Sequence, residues 1–462
     1  MVRIFEKTKS VCPVCLKPVD AYKVEREDGI YLDKQCKEHG KFRVLIWKGD
    51  YASYQAWDHP APVAHPTVCQ TPVKDGCPYD CGLCPDHEQQ ICCVVLEVTE
   101  RCNLKCPVCF ASAGGEAKAD PTQAEISLWY DRLLEAGGPY NIQLSGGEPT
   151  MRDDLPDLIR IGKEKGFTFF QLNSNGIRLA KEPHYAKELA EAGLNCVFLQ
   201  FDGVTDAPYE ALRGRPLLEE KKKAIAYCGE AGLGVVLVPT VAEGVNVQQM
   251  GEIIQFALDH MPSVRGVHFQ PMSHFGRYHN APKEHRITIP EVLEQIEAQT
   301  EGRMKASDFI GGGAENSHCS FHGNFMLLPN GSIKAAKMEP TSCCCASSQQ
   351  SREFVARRWS GKKGNQKVRL VPKEGVASGL DSLDAFLEQM EQYTLAVSGM
   401  LFQDAWNLDV KRLKSCYILE VSPDGRMIPF CAYNLTSASG ETLHRGKLVA
   451  PEKGKEGAHV DV

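Results

Sequence analysis

The chain has no apolar run of about 18 residues, the length that a membrane-spanning helix needs, and no charged-then-apolar leader. Neither a membrane span nor export is expected, and the expected location is the cytoplasm. Positive charge is not in excess either: 52 Lys and Arg stand against 59 Asp and Glu, a net charge of −7. That balance argues against a general nucleic-acid binder, which works by neutralising phosphates. No internal repeat is visible. At 462 residues the chain is long enough for two or three domains around a large core.

Cysteine, by contrast, is abundant, with 20 in the chain. In a long chain without an export signal, close Cys spacings read as metal sites more readily than as disulfides. The most telling group is Cys102-Asn-Leu-Lys-Cys106-Pro-Val-Cys109, followed by Phe110. Three thiolates fill three corners of a four-iron cluster and leave one iron without a protein ligand. An open metal position is the mark of chemistry rather than of a staple.

Four regions follow from the composition. Residues 1–60 read as short strands with two metal knuckles, so that Cys12, Cys15, Cys36 and His39 make a tetrahedral site for zinc or iron, with Cys69 as an alternative to His39. Residues 61–93 form a linker, Pro-rich and then Cys-rich. Its Gly76-Cys-Pro-Tyr-Asp-Cys-Gly-Leu-Cys84 brings three thiols close together, for an iron–sulfur cluster with Cys92 or Cys93 as fourth ligand, or for zinc. Residues 94–290 alternate strand and helix patterns: strands at 94–98, 141–144, 167–172, 196–201, 234–239 and 266–270, with helices between. Six such units predict an α/β fold, a partial (β/α)6 barrel with its ligands at the C-terminal strand ends. Residues 291–462 read as a cysteine-containing C-terminal cap for substrate or a further cluster, with a polar mobile loop at 341–367 and a helix at Leu380–Tyr393. Cys196 and Cys228 read as small buried residues, and Arg213 and Arg215 as surface charge, with pairing to a carboxylate as the alternative.

The Cys102 trio after the first strand, with Ser145-Gly-Gly-Glu-Pro149 after the second, resembles the radical S-adenosylmethionine (SAM) superfamily over about residues 94–290. The resemblance implies that Cys102, Cys106 and Cys109 hold a [4Fe–4S] cluster. It implies that Gly146, Gly147 and Glu148 meet the methionyl end of SAM, and that Asn173, Ser174 and Asn175 lie near its ribose. Asp202 orders the site or touches substrate, and Gln270 contacts adenine or substrate. A flavodoxin or ferredoxin is the implied reductant.

Together with the metal-binding head, the Cys77–Cys84 segment and Pro423-Asp-Gly-Arg-Met-Ile-Pro-Phe-Cys431, the chain resembles a narrower subgroup. It includes tetraether lipid synthase and methanopterin-pathway methylases. By that resemblance Cys77, Cys81, Cys84 and Cys92 hold one additional [4Fe–4S] cluster, and Cys319, Cys416 and Cys431 with one of Cys343–Cys345 another. The layout is also similar to the arsinothricin-pathway enzyme that joins the aminocarboxypropyl group of SAM to arsenic. Arsenite is a soft centre that prefers thiolates, so Cys343, Cys344 and Cys345 are its expected substrate ligands. The expectation is a transferase forming a C–As bond. The alternatives are methylation or C–C coupling on a pterin or lipid, and, in a different class, a non-catalytic iron–sulfur scaffold.

Overall fold

The computed structural model describes residues 2–59, 62–116, 119–278, 285–328, 330–336, 348–361 and 392–446. The head is an antiparallel meander of four strands, β1 (Arg3–Val11), β2 (Pro18–Arg26), β3 (Gly29–Cys36) and β4 (Gly40–Trp47). Its strands of 8 to 9 residues are longer than the short ones the sequence suggests. The head docks through buried polar contacts. Lys23 Nζ pairs with Asp409 at 2.9 Å, and Thr8 Oγ1 donates to Asp409 Oδ1 at 2.6 Å.

The body is built on six parallel neighbours in sequence order: β5 (Cys93–Thr99), β6 (Asn141–Gly146), β7 (Phe170–Ser174), β8 (Cys196–Gln200), β9 (Gly234–Val238) and, after the two-residue β10 (Thr240–Val241), β11 (Val264–Pro271). This is the expected half barrel. Side chains alternate along each strand. Ile142, Leu144, Phe170 and Leu172 point outward into the main core, while Gln143, Ser145, Gln171 and Asn173 line the interior. The helices outside carry matching apolar stripes: Ile126, Trp129, Tyr130 and Leu133 are the buried face of helix Gln123–Glu135. A Thr122–Glu125 capping box starts that helix.

The C-terminal third does not stand apart from this sheet. After β12 (Ile310–Gly311), β13 (Ser320–Leu327) and β14 (Ile333–Ala335), β15 (Thr394–Met400) pairs parallel to β11, with β13 antiparallel beside it. At the opposite edge β16 (Ile418–Val421) pairs parallel to β5 and turns into β17 (Met427–Pro429). A half barrel leaves two open strand edges, and these strands cover both.

Part of the segment expected as a mobile loop is the helix Ser348–Trp359. Its Val355 and Trp359 line the interior, and Gly361 N donates to Asn195 O, just before β8. The helix thus closes the N-terminal mouth of the half barrel. Cys343, Cys344 and Cys345, and all but the end of the expected helix Leu380–Tyr393, lie outside the described residues. No described helix is long and apolar enough to cross a membrane.

Candidate active site

The head's metal site is fully assembled. Cys12 and Cys15 flank the β1–β2 turn, Cys36 ends β3 and His39 sits in the next turn. Their ligand atoms all lie within 4.8 Å of one another. Cys36 Sγ is 3.5 Å and Cys12 Sγ 3.7 Å from His39 Nδ1, and Cys15 Sγ is 4.0 Å from Cys36 Sγ. A tetrahedral ion with metal–sulfur bonds of about 2.3 Å spaces its sulfurs about 3.8 Å apart, so the donor set fits a single ion. Contact with His39 lowers the Cys36 thiol to about 6, whereas burial raises Cys12 to about 11. Cys69 is exposed and outside this group.

The Cys102–Cys109 loop leaves the C-terminal end of β5. Cys102, Cys106 and Cys109 pack with Leu104, Ile177, Tyr209 and Leu217, an apolar shell in which Cys106 is buried and Cys102 and Cys109 are half-buried. Burial pushes Cys102 up to about 12 and also raises Cys106. Such thiols stay protonated until a metal draws off the proton. All three line the central cavity, which suits a cluster with one face open to a ligand. Arg277 clasps the loop. Its Nε donates to Cys106 O at 2.8 Å, and its backbone exchanges hydrogen bonds with Cys109 at 2.9 and 3.0 Å. The sequence singles out 270–277 only as a ligand-contacting strand end, so this clasp is new.

The glycines after β6 serve the same loop. Gly146 has φ +131°, and a Cβ there would lie 2.2 Å from Thr99 O; at Gly147 a Cβ would lie 2.3 Å from Arg101 O. Close approach is needed because Gly147 N donates to Thr99 O and Glu148 N to Arg101 O, both at 2.8 Å. Glu148 is buried, and burial raises its carboxyl. Oε1 accepts from Thr150 and from Ser174 Oγ at 2.8 Å, and Oε2 accepts from Asn175 N at 2.7 Å. Oε2 thus keeps acceptor capacity toward the cavity that Glu148 lines. Asn175 Nδ2 also reaches Asn103 Oδ1 at 2.7 Å, tying β7 to the cluster loop.

Asp202, just beyond β8, is wholly buried and held by Arg213 in a fork, Nε to Oδ2 and Nη2 to Oδ1, both at 2.7 Å. Arg213 is therefore not surface charge. It lines the cavity and stands near enough to Cys106 to counter the effect of burial on that thiol. Arg215 is the exposed one, paired with Glu220. Lys221, also fully buried, donates to Asn175 O at 2.5 Å, and burial lowers it to about 8. Asp202 thus holds Arg213 and is not itself among the residues lining the cavity. Asp202→Ala strands the buried Arg213 cation and is expected to cost about 3–5 kcal/mol of stability. Anaerobic chemical denaturation measures this, and a loss within error of zero would contradict the role.

The other thiols are grouped differently from the sequence expectation. Cys77, Cys81 and Cys84 line one small pocket. Cys81 is raised well above the usual range by its contact with Cys77, then by burial, and also by the charges of Cys84 and Cys416. Cys92 is elsewhere: with Cys93 it lines the central cavity. Cys92 and Cys93, the two expected candidates for a fourth ligand, open into the barrel interior at the start of β5, and the segment leading into β16 brings Cys416 to Cys81 instead. Cys416 is also a neighbour of Cys319 and Cys431, and Cys319 Sγ accepts from Arg412 at 3.3 and 3.4 Å. Cys196 and Cys228 are buried as expected.

The central cavity measures about 300 Å³ and runs from the Cys102 loop to Trp359. Asn173, Ser174, Asn175 and Gln270 all line it. Residues 96–257 match the radical SAM superfamily, and residues 4–48 match the HMPTM N-terminal zinc ribbon domain. The chain is 35% identical over 490 residues to the 7,8-dihydro-6-hydroxymethylpterin dimethyltransferase of Methanocaldococcus jannaschii, covering 96% of this chain and 94% of that protein.

The chain belongs to the radical SAM superfamily. A radical SAM enzyme uses a [4Fe–4S] cluster and SAM, and the zinc ribbon adds a mononuclear metal site. The radical SAM part is also 30% identical over 206 residues to the mitochondrial GTP 3',8-cyclase of Arabidopsis thaliana, 44% of this chain and 51% of that one. Among solved structures, Streptococcus suis SuiB bound to S-adenosylmethionine matches with a TM-score of 0.39 and 18% identity, over 46% of this chain and 48% of that chain.

Proposed function

We propose that this radical SAM enzyme methylates a reduced pterin. The observation that carries the reading is the end-to-end likeness to a pterin dimethyltransferase, which spans the zinc ribbon, the barrel and the C-terminal strands together. The cavity is consistent with it. A nucleoside triphosphate, the substrate named for the cyclase relative, would call for several cations at its phosphates. Among the described lining residues Arg213 is the only Lys or Arg, and Asp202 already holds it.

When bound, the cluster and one SAM would supply one-electron cleavage of a sulfonium C–S bond, giving 5′-deoxyadenosine and methionine, while the methyl group itself comes from a second SAM, which leaves as S-adenosylhomocysteine, with the electrons supplied by the reductant. Cys102, Cys106 and Cys109 hold the cluster, with Arg277 fixing their loop. Glu148 Oε2 accepts from the methionyl ammonium, and Gly146 and Gly147 let the motif close on the loop. Asn173, Ser174, Asn175 and Gln270 orient the rest of SAM, and the apolar shell and Trp359 exclude water. Cys77, Cys81, Cys84 and Cys416 are the proposed ligands of an additional [4Fe–4S] cluster, and Cys319 and Cys431, next to Cys416, belong to the same or an adjoining group. A flavodoxin or ferredoxin is the proposed electron donor. Aminocarboxypropyl transfer to arsenite has no such support, since Cys343–Cys345 lie outside the described residues and the full-length relative is a methyltransferase by name.

Anaerobic incubation with SAM and dithionite tests the reading. Adding 6-hydroxymethyl-7,8-dihydropterin is expected to raise 5′-deoxyadenosine formation several-fold, and arsenite is expected to leave it unchanged. Methylthioadenosine formed in proportion to arsenite would overturn it.

A further inference from the structure

The interior face of β6 and β7 is unusually rich in amides. Gln143 and Gln171 are register partners on adjacent parallel strands, and Asn173 follows on the same face. The three are linked: Gln171 Nε2 donates to Asn173 Oδ1 at 2.9 Å, and Asn173 Nδ2 reaches Gln143 Oε1 at 3.5 Å. This chain leaves one group over. Gln171 is fully buried, lines the cavity, and its Oε1 has no hydrogen-bond partner. A buried acceptor without a donor is costly and rare in a native fold, and at a cavity wall it points to a ligand that supplies the donor.

The rest of the chamber narrows the class of ligand. Phe198 and Trp359 stand with ring centroids 4.7 Å apart, giving an aromatic wall on which a planar ring can pack. His268 is kept neutral by burial, which lowers it to about 4, and its Nδ1 is engaged with Ser398 Oγ at 2.9 Å. Among the described lining residues formal charge is confined to Glu148 and Arg213, at the cluster end. The deep part of the chamber is therefore polar but uncharged, with an aromatic side.

We propose that Gln171 Oε1 accepts a hydrogen bond from the donor edge of a neutral, planar heteroaromatic substrate, and that Gln143 beside it completes that recognition edge. The assignment rests on the pterin reading and sharpens it. The amino and ring N–H groups of the pterin's pyrimidinone ring face β6 and β7, which leaves the opposite side of the bicycle free for reaction. Gln171 acts as a specificity residue, without a part in SAM cleavage itself.

The test measures equilibrium binding to the oxidised, SAM-loaded holoenzyme without reductant, so that no turnover intervenes. The two probes are 6-hydroxymethyl-7,8-dihydropterin and 1,3-dimethyllumazine, a related bicycle with no donor on that edge. Wild-type protein is expected to prefer the pterin. Gln171→Met keeps length and volume, and is expected to weaken pterin binding about 10- to 100-fold while leaving the lumazine nearly unaffected, so that the preference collapses. Equal weakening of both ligands, or no weakening of either, would overturn the assignment while leaving the pterin reading intact. Wild-type protein that fails to bind the pterin at all overturns the reading and the assignment with it. Should Gln171→Met lose its iron, Gln171→Asn, which withdraws the acceptor by one methylene, is expected to show the same selective loss.

Discussion

Cys106→Ala is expected to abolish SAM cleavage and to lower the iron content by about four atoms per chain. In the proposed assignment the three thiols of the loop are the whole protein contribution to the cluster, so two of them leave a second iron without a ligand. The loop offers no substitute: Leu104, Ile177, Tyr209 and Leu217 surround the thiols with apolar surface, and Arg277 fixes the backbone of Cys106 and Cys109 where it is. The flanking residues leave little scope for adjustment, since Gly146 and Gly147 already bring β6 into backbone contact with Thr99 and Arg101. Iron analysis and 5′-deoxyadenosine measured on the same anaerobic sample check the prediction, with the head metal as an internal reference. Turnover near the wild-type rate would refute the assignment of the trio.

Cys12→Ser is expected to release the head metal and to unfold the head while sparing the barrel. Four ligands from two turns converge on one point, and the head's own buried cluster is small, Ala21, Leu32 and Val44 with Ile46 beside it. For so small a unit the free energy of metal binding is in effect the free energy of folding. Loss of one thiol of four is therefore expected to remove about one metal per chain and to raise proteolytic cleavage within residues 2–48 about tenfold or more. The barrel's apolar core is continuous without the metal and is expected to stay protected. A head that keeps both its metal and its protease resistance would contradict a structural role for the site.

The parts of this molecule legible in the sequence are those whose chemistry is local. The Cys102 trio and the Cys12/Cys15 and Cys36/His39 knuckles each sit within a few residues, so spacing conveys their geometry, whereas Gly146–Glu148 is legible only through its resemblance to the radical SAM motif. The six β/α units are legible for a similar reason, since strands such as β5 and helices such as Gln123–Glu135 carry their periodicity in one window. Most of the misses depend on distant pairing. Cys416 lies more than 300 residues from Cys81 and reaches it only because β16 pairs with β5. Arg213 reads as surface charge until β8 places Asp202 under it. Helix Ser348–Trp359 was hidden by polarity: Gln, Ser, Arg and Glu suit a loop by composition, although most are good helix formers. Its terminal aromatic, Trp359, is the available sign of a buried contact. The cavity's amides were visible as residues but not as a set, because only register makes Gln143 and Gln171 neighbours.

In the proposed reaction a pterin receives methyl groups in this cavity. Mass spectrometry of the pterin recovered after anaerobic turnover tests it most directly. The expected product is heavier than 6-hydroxymethyl-7,8-dihydropterin by one or two methyl groups, formed only when SAM and reductant are both present and absent from the Cys106→Ala reaction. A pterin recovered unchanged, while SAM is consumed to build an aminocarboxypropyl group onto another acceptor, would contradict it.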